Sequence, residues 1–341
     1  MNTVDFLSMI TGRMNGMRTA MGAVHLLRGK RSGQSIQDAS LFQLNRWYGS
    51  LKHIPEADLQ RILEAMKNRG DLMESDGCVF LGETGRRRAE KAERFFQDHP
   101  YHAQRWEWNG EAQQLWMRLS LAVQLYSWRA DQQQVFYPVY ADREARASVR
   151  HYWKHHPDGR ATLYRFLYKF MNQIPQEEAD LFVFQLSGSR LQGRTLTQMR
   201  PKDEQLASYF LFRTSLHRML HDGPDEGMEA LFPPVNQKSW TESAEKTRML
   251  LQRKCLDMDQ LAEIRQLKRS TIEDHLVELA ISDPDFPIRA FLPEEKETVI
   301  LRAKALLRGE AKLKKVKESV QEDVDYFQIR LTLARQKKEE A

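Results

Sequence analysis

The order of apolar and polar residues divides this chain into helix-length segments with one short exception. Apolar residues at Phe6, Leu7, Ile10, Met14, Met17, Met21 and Val24 recur at the spacing of one helix face. They predict a methionine-studded helical stretch from Met1 to Leu27 that packs on the next element. A second helical pattern covers Ala57 to Lys67. The exception is Leu72-Met73-Glu74-Ser75-Asp76-Gly77-Cys78-Val79-Phe80-Leu81, where two short apolar stretches flank an Asp-Gly pair. Asp-Gly tolerates the positive φ of a tight turn, so a β-hairpin is predicted. Thr84-Gly85 followed by Arg86, Arg87 and Arg88 opens a further helix. Helix, hairpin and helix in this order predict a winged-helix-like domain over residues 1–96, with Gly77 at the wing tip.

Residues 97–235 are helical in pattern and rich in rings, among them Trp106, Trp108, Trp116, Tyr126, Trp128, Tyr152, Trp153, Tyr164, Phe166, Tyr168 and Phe170. Prolines at 100, 138, 157, 175 and 201 cut the segment into helix lengths. The rings could stack unpaired bases, but an aromatic-rich helical domain with them packed in its core is the prediction. Trp106 and Trp108, beside Asn109-Gly110, are the pair expected at the surface. Gly223-Pro224 and Pro233-Pro234 predict a linker, and no repeat of solenoid period is apparent.

The most specific pattern lies in residues 238–310, where the stretch Leu261 to Leu276 reads as a helix-turn-helix. Two short helices that cross steeply need a small residue at their closest approach, and Ala262 supplies it. Leu261 and Ile264 are expected to face inward, Leu267 to plug the turn, and Ile272 with Leu276 to form the buried stripe of the second helix. Asp257 with Gln260, and Ser270 with Glu273, have the spacing of reciprocal helix caps. Asp283-Pro284 stops the second helix, and Gln266 fills the turn position that glycine usually takes. Residues 311–341 read as a charged tail, a solvated helix or frayed end.

Composition narrows the class. Hydrophobic residues make up 41% of the 341 and charged residues 29%, which excludes wholesale disorder. The net charge of +5 permits a polyanionic partner. No amino-terminal signal pattern or membrane-length apolar run is present, so a cytoplasmic protein with no membrane partner is expected. Cys78 and Cys255 build neither a disulfide framework nor a thiolate metal cluster, which fits a reducing compartment.

Positive charge gathers in two places near the amino terminus. Arg13, Arg18, Arg28, Lys30 and Arg31 precede Asp38, the first acid after Asp5, and Arg86, Arg87 and Arg88 follow the hairpin. Both sets suit phosphate binding. In the helix-turn-helix, Lys268, Arg269, Ser270 and Thr271 form the leading end of the second helix and suit phosphates or base edges, although such an element also binds protein. Gly188-Ser189-Arg190-Leu191-Gln192-Gly193-Arg194-Thr195 has phosphate-loop spacing, but arginine replaces the lysine and a plain turn is predicted. His217 with His221, and His151, His155 and His156, lack a convincing further ligand, so no metal and no cofactor are expected. No nucleophile or acid–base pair stands out, and no catalysis is expected.

The segment His25 to Ala89, with Leu27-Arg28-Gly29, Trp47-Tyr48-Gly49 and Gly82-Glu83-Thr84-Gly85, resembles the winged-helix module that follows the motor in RecQ-type helicases. Leu261 to Leu276 resembles the helix-turn-helix domain near the carboxyl end of some of those helicases. A chain with both and no motor is similar to the YpbB-like proteins of Firmicutes, which are encoded beside a RecQ-family helicase. The resemblance implies a DNA-binding accessory protein whose partners are DNA and that helicase. The zinc-binding cysteines of RecQ helicases are absent, so no zinc carries over. The tip Ser75-Asp76-Gly77 lacks the aromatic that separates strands in some relatives. The expected fold is mainly α-helical: a winged helix with a small hairpin, a central helical domain and a carboxy-terminal helix-turn-helix. A helix-turn-helix transcription regulator and a helicase adaptor that binds protein only remain the alternatives.

Overall fold

The computed structural model describes residues 1–101, 108–133, 135–235, 240–253, 257–283, 285–307, 313–320 and 323–335. Among them are seventeen α-helices and one two-stranded sheet. Two compact units result, each assembled from separated segments. The first comprises Met1–Gly12, Ile62–Met73 and Leu81–Asn236, and the second Arg13–Arg61, Glu74–Phe80 and Gln237–Ala341. The first 96 residues therefore contribute to both. Among the described residues, no helix is long and apolar enough to cross a membrane.

The first unit is built on the helices Trp108–Ala130 and Gln205–Asp222. The second of these is buried on nearly every face, from Leu206 to Leu220, so it runs through the core rather than along the surface. Its Phe210 meets Phe6 at 4.8 Å and Phe96 at 5.2 Å between ring centroids, which fixes the helices Thr3–Met14 and Glu83–Asp98 against it. Each such ring contributes about 1.5–3 kcal/mol by leaving water. Trp116, Tyr126, Tyr152, Phe166 and Phe170 pack in the core of this unit as expected. Trp108 also packs against that core rather than standing at the surface, while Trp106 lies outside the described residues. The expected linker is shorter than predicted: the division between the units falls after Asn236, just past Pro233-Pro234, while the 3-10 turn Glu229–Leu231 seals the core with Met228 and Leu231, both fully buried. Their apolar side chains hold the segment down despite the flanking prolines.

The hairpin forms as predicted, pairing Leu72–Ser75 with Cys78–Leu81 through Asp76 (φ 52°) and Gly77 (φ 72°). The helical stretch predicted from Met1 to Leu27 is broken. It forms Thr3–Met14 and Ala20–Leu27, parted by Asn15 (φ 43°) and Gly16 (φ 67°). A side chain at Gly16 would run into the Phe80 ring at 1.9 Å, so the break is demanded by packing as well as by backbone angle. Within the second unit Gly29 and Gly49 lie back to back, a Cβ on Gly29 falling 3.0 Å from the Gly49 Cα. The Tyr48 hydroxyl donates to the Lys30 carbonyl at 2.7 Å, which shapes the basic loop after Leu27.

The stretch from residue 311 onward is not a free tail where it is described. In the helix Tyr326–Arg335, Phe327, Ile329, Leu331 and Thr332 are buried, and Val316 and Val324 join the same core. The charges that suggested solvation lie between these apolar positions.

Candidate nucleic-acid interface

The helix-turn-helix is the helix Met258–Arg265, a turn, and the helix Arg269–Ser282. Asp257 starts the first helix, its carboxylate accepting from the N–H groups of Asp259 (2.9 Å) and Gln260 (2.8 Å). Gln260 returns the bond by accepting from the Asp257 N–H at 3.1 Å, so the predicted capping box is present. Gln266 adopts the left-handed conformation (φ 50°, ψ 43°), and the Leu267 N–H closes the helix end on the Ala262 carbonyl at 3.0 Å.

Two local expectations are corrected. Ile264 is 49% exposed, because the inward position after Leu261 and Ala262 goes to Arg265. The Arg265 guanidinium donates to the Ser243 carbonyl (2.9 Å) and the Thr247 hydroxyl (2.6 Å), and burial lowers its pKa. The Ser270–Glu273 cap does not form. Lys268 already occupies the extended cap position (φ −67°, ψ 146°), so Ser270 lies inside the helix.

The second helix is enclosed for most of its length. From Ile272 onward Ile272, His275, Leu276, Val277, Glu278, Leu279 and Ala280 are buried. The helices Glu242–Arg253, Tyr326–Arg335 and Gly33–Leu41 pack around it. The last is close enough that a Cβ on Gly33 would stand 2.8 Å from the Asp274 side chain. Only the leading turn is open: Lys268, Arg269 and Ser270 are exposed and Thr271 is half-buried. Lys268 makes no ion pair among the described residues. Arg269 is held by Asp259 (2.7 Å) and Glu273 (3.5 Å).

Beside that turn a cleft of about 610 Å³ brings sequence-distant candidates together, with Arg31 and Thr271 both in its lining. Lys246 and Arg265 add positive charge to its lining, against Glu242, Asp274 and Glu278. Glu278 is 4% exposed and accepts from both the N–H and the hydroxyl of Thr241, the latter at 3.1 Å. Burial raises its pKa, outweighing the Thr241 bonds and the nearby Arg31. His275 shares a hydrogen bond of 2.9 Å with the Thr247 hydroxyl, and burial, then Arg265, lowers its pKa. Lys246 is the residue sequence reading missed, a single cation in a mixed-charge helix with nothing local to mark it.

The remaining candidates divide by role. Lys30 and Arg31 are exposed. Arg28 is a latch, donating to the Ile54 carbonyl and lying 3.8 Å from Glu56. Arg86, Arg87 and Arg88 belong to the other unit. Arg86 is exposed and Arg87 pairs with Glu83. Arg88 bridges the buried carboxylates of Asp5 (3.2 Å) and Asp71 (3.1 Å), so its charge is committed to the fold.

A second recess of about 850 Å³ lies in the helix-turn-helix domain, lined by Leu251, Met258, Phe286, Phe291 and Phe327. Five aspartates (257, 259, 283, 285 and 325) face it against Arg248 and Arg269. Arg248 is itself paired with Asp283 at 3.3 Å. Of the histidine candidates, His217 is fully buried while His221 is exposed; His151, His155 and His156 line one recess, the first two rings 4.3 Å apart. No group of three or more His, Cys, Asp or Glu side chains among the described residues could hold a metal ion.

Capped helix, left-handed turn and buried second helix define a helix-turn-helix protein, and the family model described as "Helix-turn-helix domain" matches residues 243–333. Over 337 residues the chain is 30% identical to Protein YpbB of Bacillus subtilis (strain 168), covering 95% of this chain and 94% of that protein. It belongs to the YpbB family. No solved structure matches it.

Proposed function

We propose that this is a non-catalytic DNA-binding accessory protein acting with a RecQ-type helicase in DNA repair or recombination. The observation that carries the DNA reading is the open leading turn of the helix-turn-helix. It presents Lys268 and Ser270 beside a cleft edged by Arg31 and Lys246. Because the rest of the second helix is enclosed, the fitting contacts are to phosphates, with little sequence preference. The same enclosure weighs against a transcription regulator, which reads base edges along an exposed helix. The helix–hairpin–helix of the amino-terminal segment fits a winged-helix module, and the helicase partner rests on the resemblance of that module and of Leu261 to Leu276 to RecQ-type helicases.

A protein-only adaptor is the second reading, favoured by the apolar recess with its aspartate rim. One experiment separates them: binding of fluorescent duplexes of unrelated sequence across a salt series, for the native protein and a Lys268→Glu, Arg31→Glu variant. Salt-sensitive binding that the variant loses supports DNA contact. Retained helicase binding with no shift of any duplex at low salt supports the adaptor.

A further inference from the structure

The exposed side of the helix Arg160–Met171 combines aromatic rings with positive charge and carries no carboxylate of its own, though Asp225 pairs with its Lys169 at 3.0 Å. Leu163, Phe166 and Phe170 turn into the core, which leaves Arg160, Tyr164, Arg165 and Tyr168 facing solvent. Tyr164 is 66% exposed and Tyr168 58%, although tyrosines in a helical domain ordinarily pack inward. Their rings stack on each other, centroids 5.7 Å apart and planes within 21°. Arg160 and Arg165 form no ion pair among the described residues.

A recess of about 730 Å³ opens beside Tyr164, its lining shared by Val183 and the loop Leu186 to Leu191. That loop is firmly anchored. The Ser189 hydroxyl donates to Asp131 at 2.5 Å, the Arg190 fork donates to both Asp131 oxygens at 2.9 and 2.7 Å, and the Arg194 N–H donates to the Phe184 carbonyl at 2.8 Å. Asp131 is the one carboxylate among the described lining residues, and Arg190 and Ser189 occupy it. Arg160 therefore sets the sign of the recess.

We propose that this surface binds single-stranded nucleic acid. An unstacked base enters the recess against Tyr164, a neighbouring base lies on Tyr168, and Arg160 and Arg165 receive the phosphates. Rings exposed for stacking beside free cations are what a strand with unpaired bases needs. A duplex offers no base faces to them, since each is covered by its neighbour. Arginine and tyrosine also mark protein hot spots, but the acid beside this face, Asp225, is taken by Lys169, and the unpaired charges left on the helix, Arg160 and Arg165, complement a polyanion. The surface belongs to the unit without the helix-turn-helix, so it goes beyond the function proposed above.

The test is fluorescence anisotropy of the full-length protein with labelled oligothymidylate, an abasic strand and a duplex of equal length. Tyr164→Ala, Tyr168→Ala together are expected to weaken oligothymidylate binding about tenfold or more and leave the duplex unchanged. The Phe pair at the same positions keeps native affinity. Arg160→Ala, Arg165→Ala lowers the salt slope on the single strand by about 1 to 1.5. Lys268→Glu acts on the duplex arm alone, which keeps failure of this site distinct from failure of the helix-turn-helix reading. Native single-strand affinity in the alanine pair would overturn the proposal. So would equal affinity for the abasic strand, or no single-strand binding at low salt, the result a protein-docking surface gives.

Discussion

Arg88 donates to Asp71 at 3.1 Å and thereby separates itself from the two arginines that precede it. Three consecutive cations read as one cluster in the sequence, yet the third neutralises two carboxylates that are each 1% exposed. Arg88→Ala is expected to cost about 1–3 kcal/mol, since Arg69 and Lys91 still reach Asp71 and Asp5. Arg86→Ala is expected to stay within about 0.5 kcal/mol. Urea unfolding of the two variants measures the difference.

Lys268 and Arg269 are adjacent, but Asp259 holds only the second. Lys268→Ala is expected to lower duplex affinity about threefold to tenfold and reduce the salt slope by about 1. Arg269→Ala is expected to change either quantity much less. Equal losses in the two variants would show that the Asp259 pair opens on binding.

The left-handed Gln266 stores strain that glycine would release. Gln266→Gly is expected to raise stability by about 0.5–1 kcal/mol, and Gln266→Val to lower it by more. Thermal unfolding read against the native protein checks the sign of both.

His275 gives the helix-turn-helix a pH dependence. Its folded pKa lies below the ordinary 6.5, because burial and Arg265 oppose the charge more than Asp274 favours it. The unfolded chain therefore takes up more protons as pH falls through that value, and stability is full above it and lost below. The urea midpoint should drop between about pH 7.5 and about pH 5.5, and His275→Gln should flatten the drop.

Ile329 and Leu331 are both fully buried, although they lie where sequence composition suggested a solvated end. Leu331→Ala is expected to cost about 2–5 kcal/mol. Removing Tyr326–Arg335 should unfold the helix-turn-helix domain, which limited proteolysis reads directly.

What the chain revealed beforehand follows the range of the interactions involved. The Asp257–Gln260 box and the Asp76–Gly77 turn are set by neighbours in sequence, and both were legible. Ile264 and Arg265 exchanged places because the facing partner, Ser243 and Thr247, comes from another helix. Charge density hid the apolar positions of residues 326–335, and flanking prolines hid Met228 and Leu231. At the site, composition marked Arg31 and Thr271 separately, but only tertiary packing puts them at one cleft. Tyr164 and Tyr168 were absorbed into an expected core, since a ring's type does not reveal which side of a helix is covered.

The packing of Gly33–Leu41 and Tyr326–Arg335 on one helix has a consequence for the timing of folding. The helix Gly33–Leu41 must wait, during translation, for the much later helix Tyr326–Arg335. The earlier segment is made long before the surface it covers, and the second unit can close only once Tyr326–Arg335 has emerged.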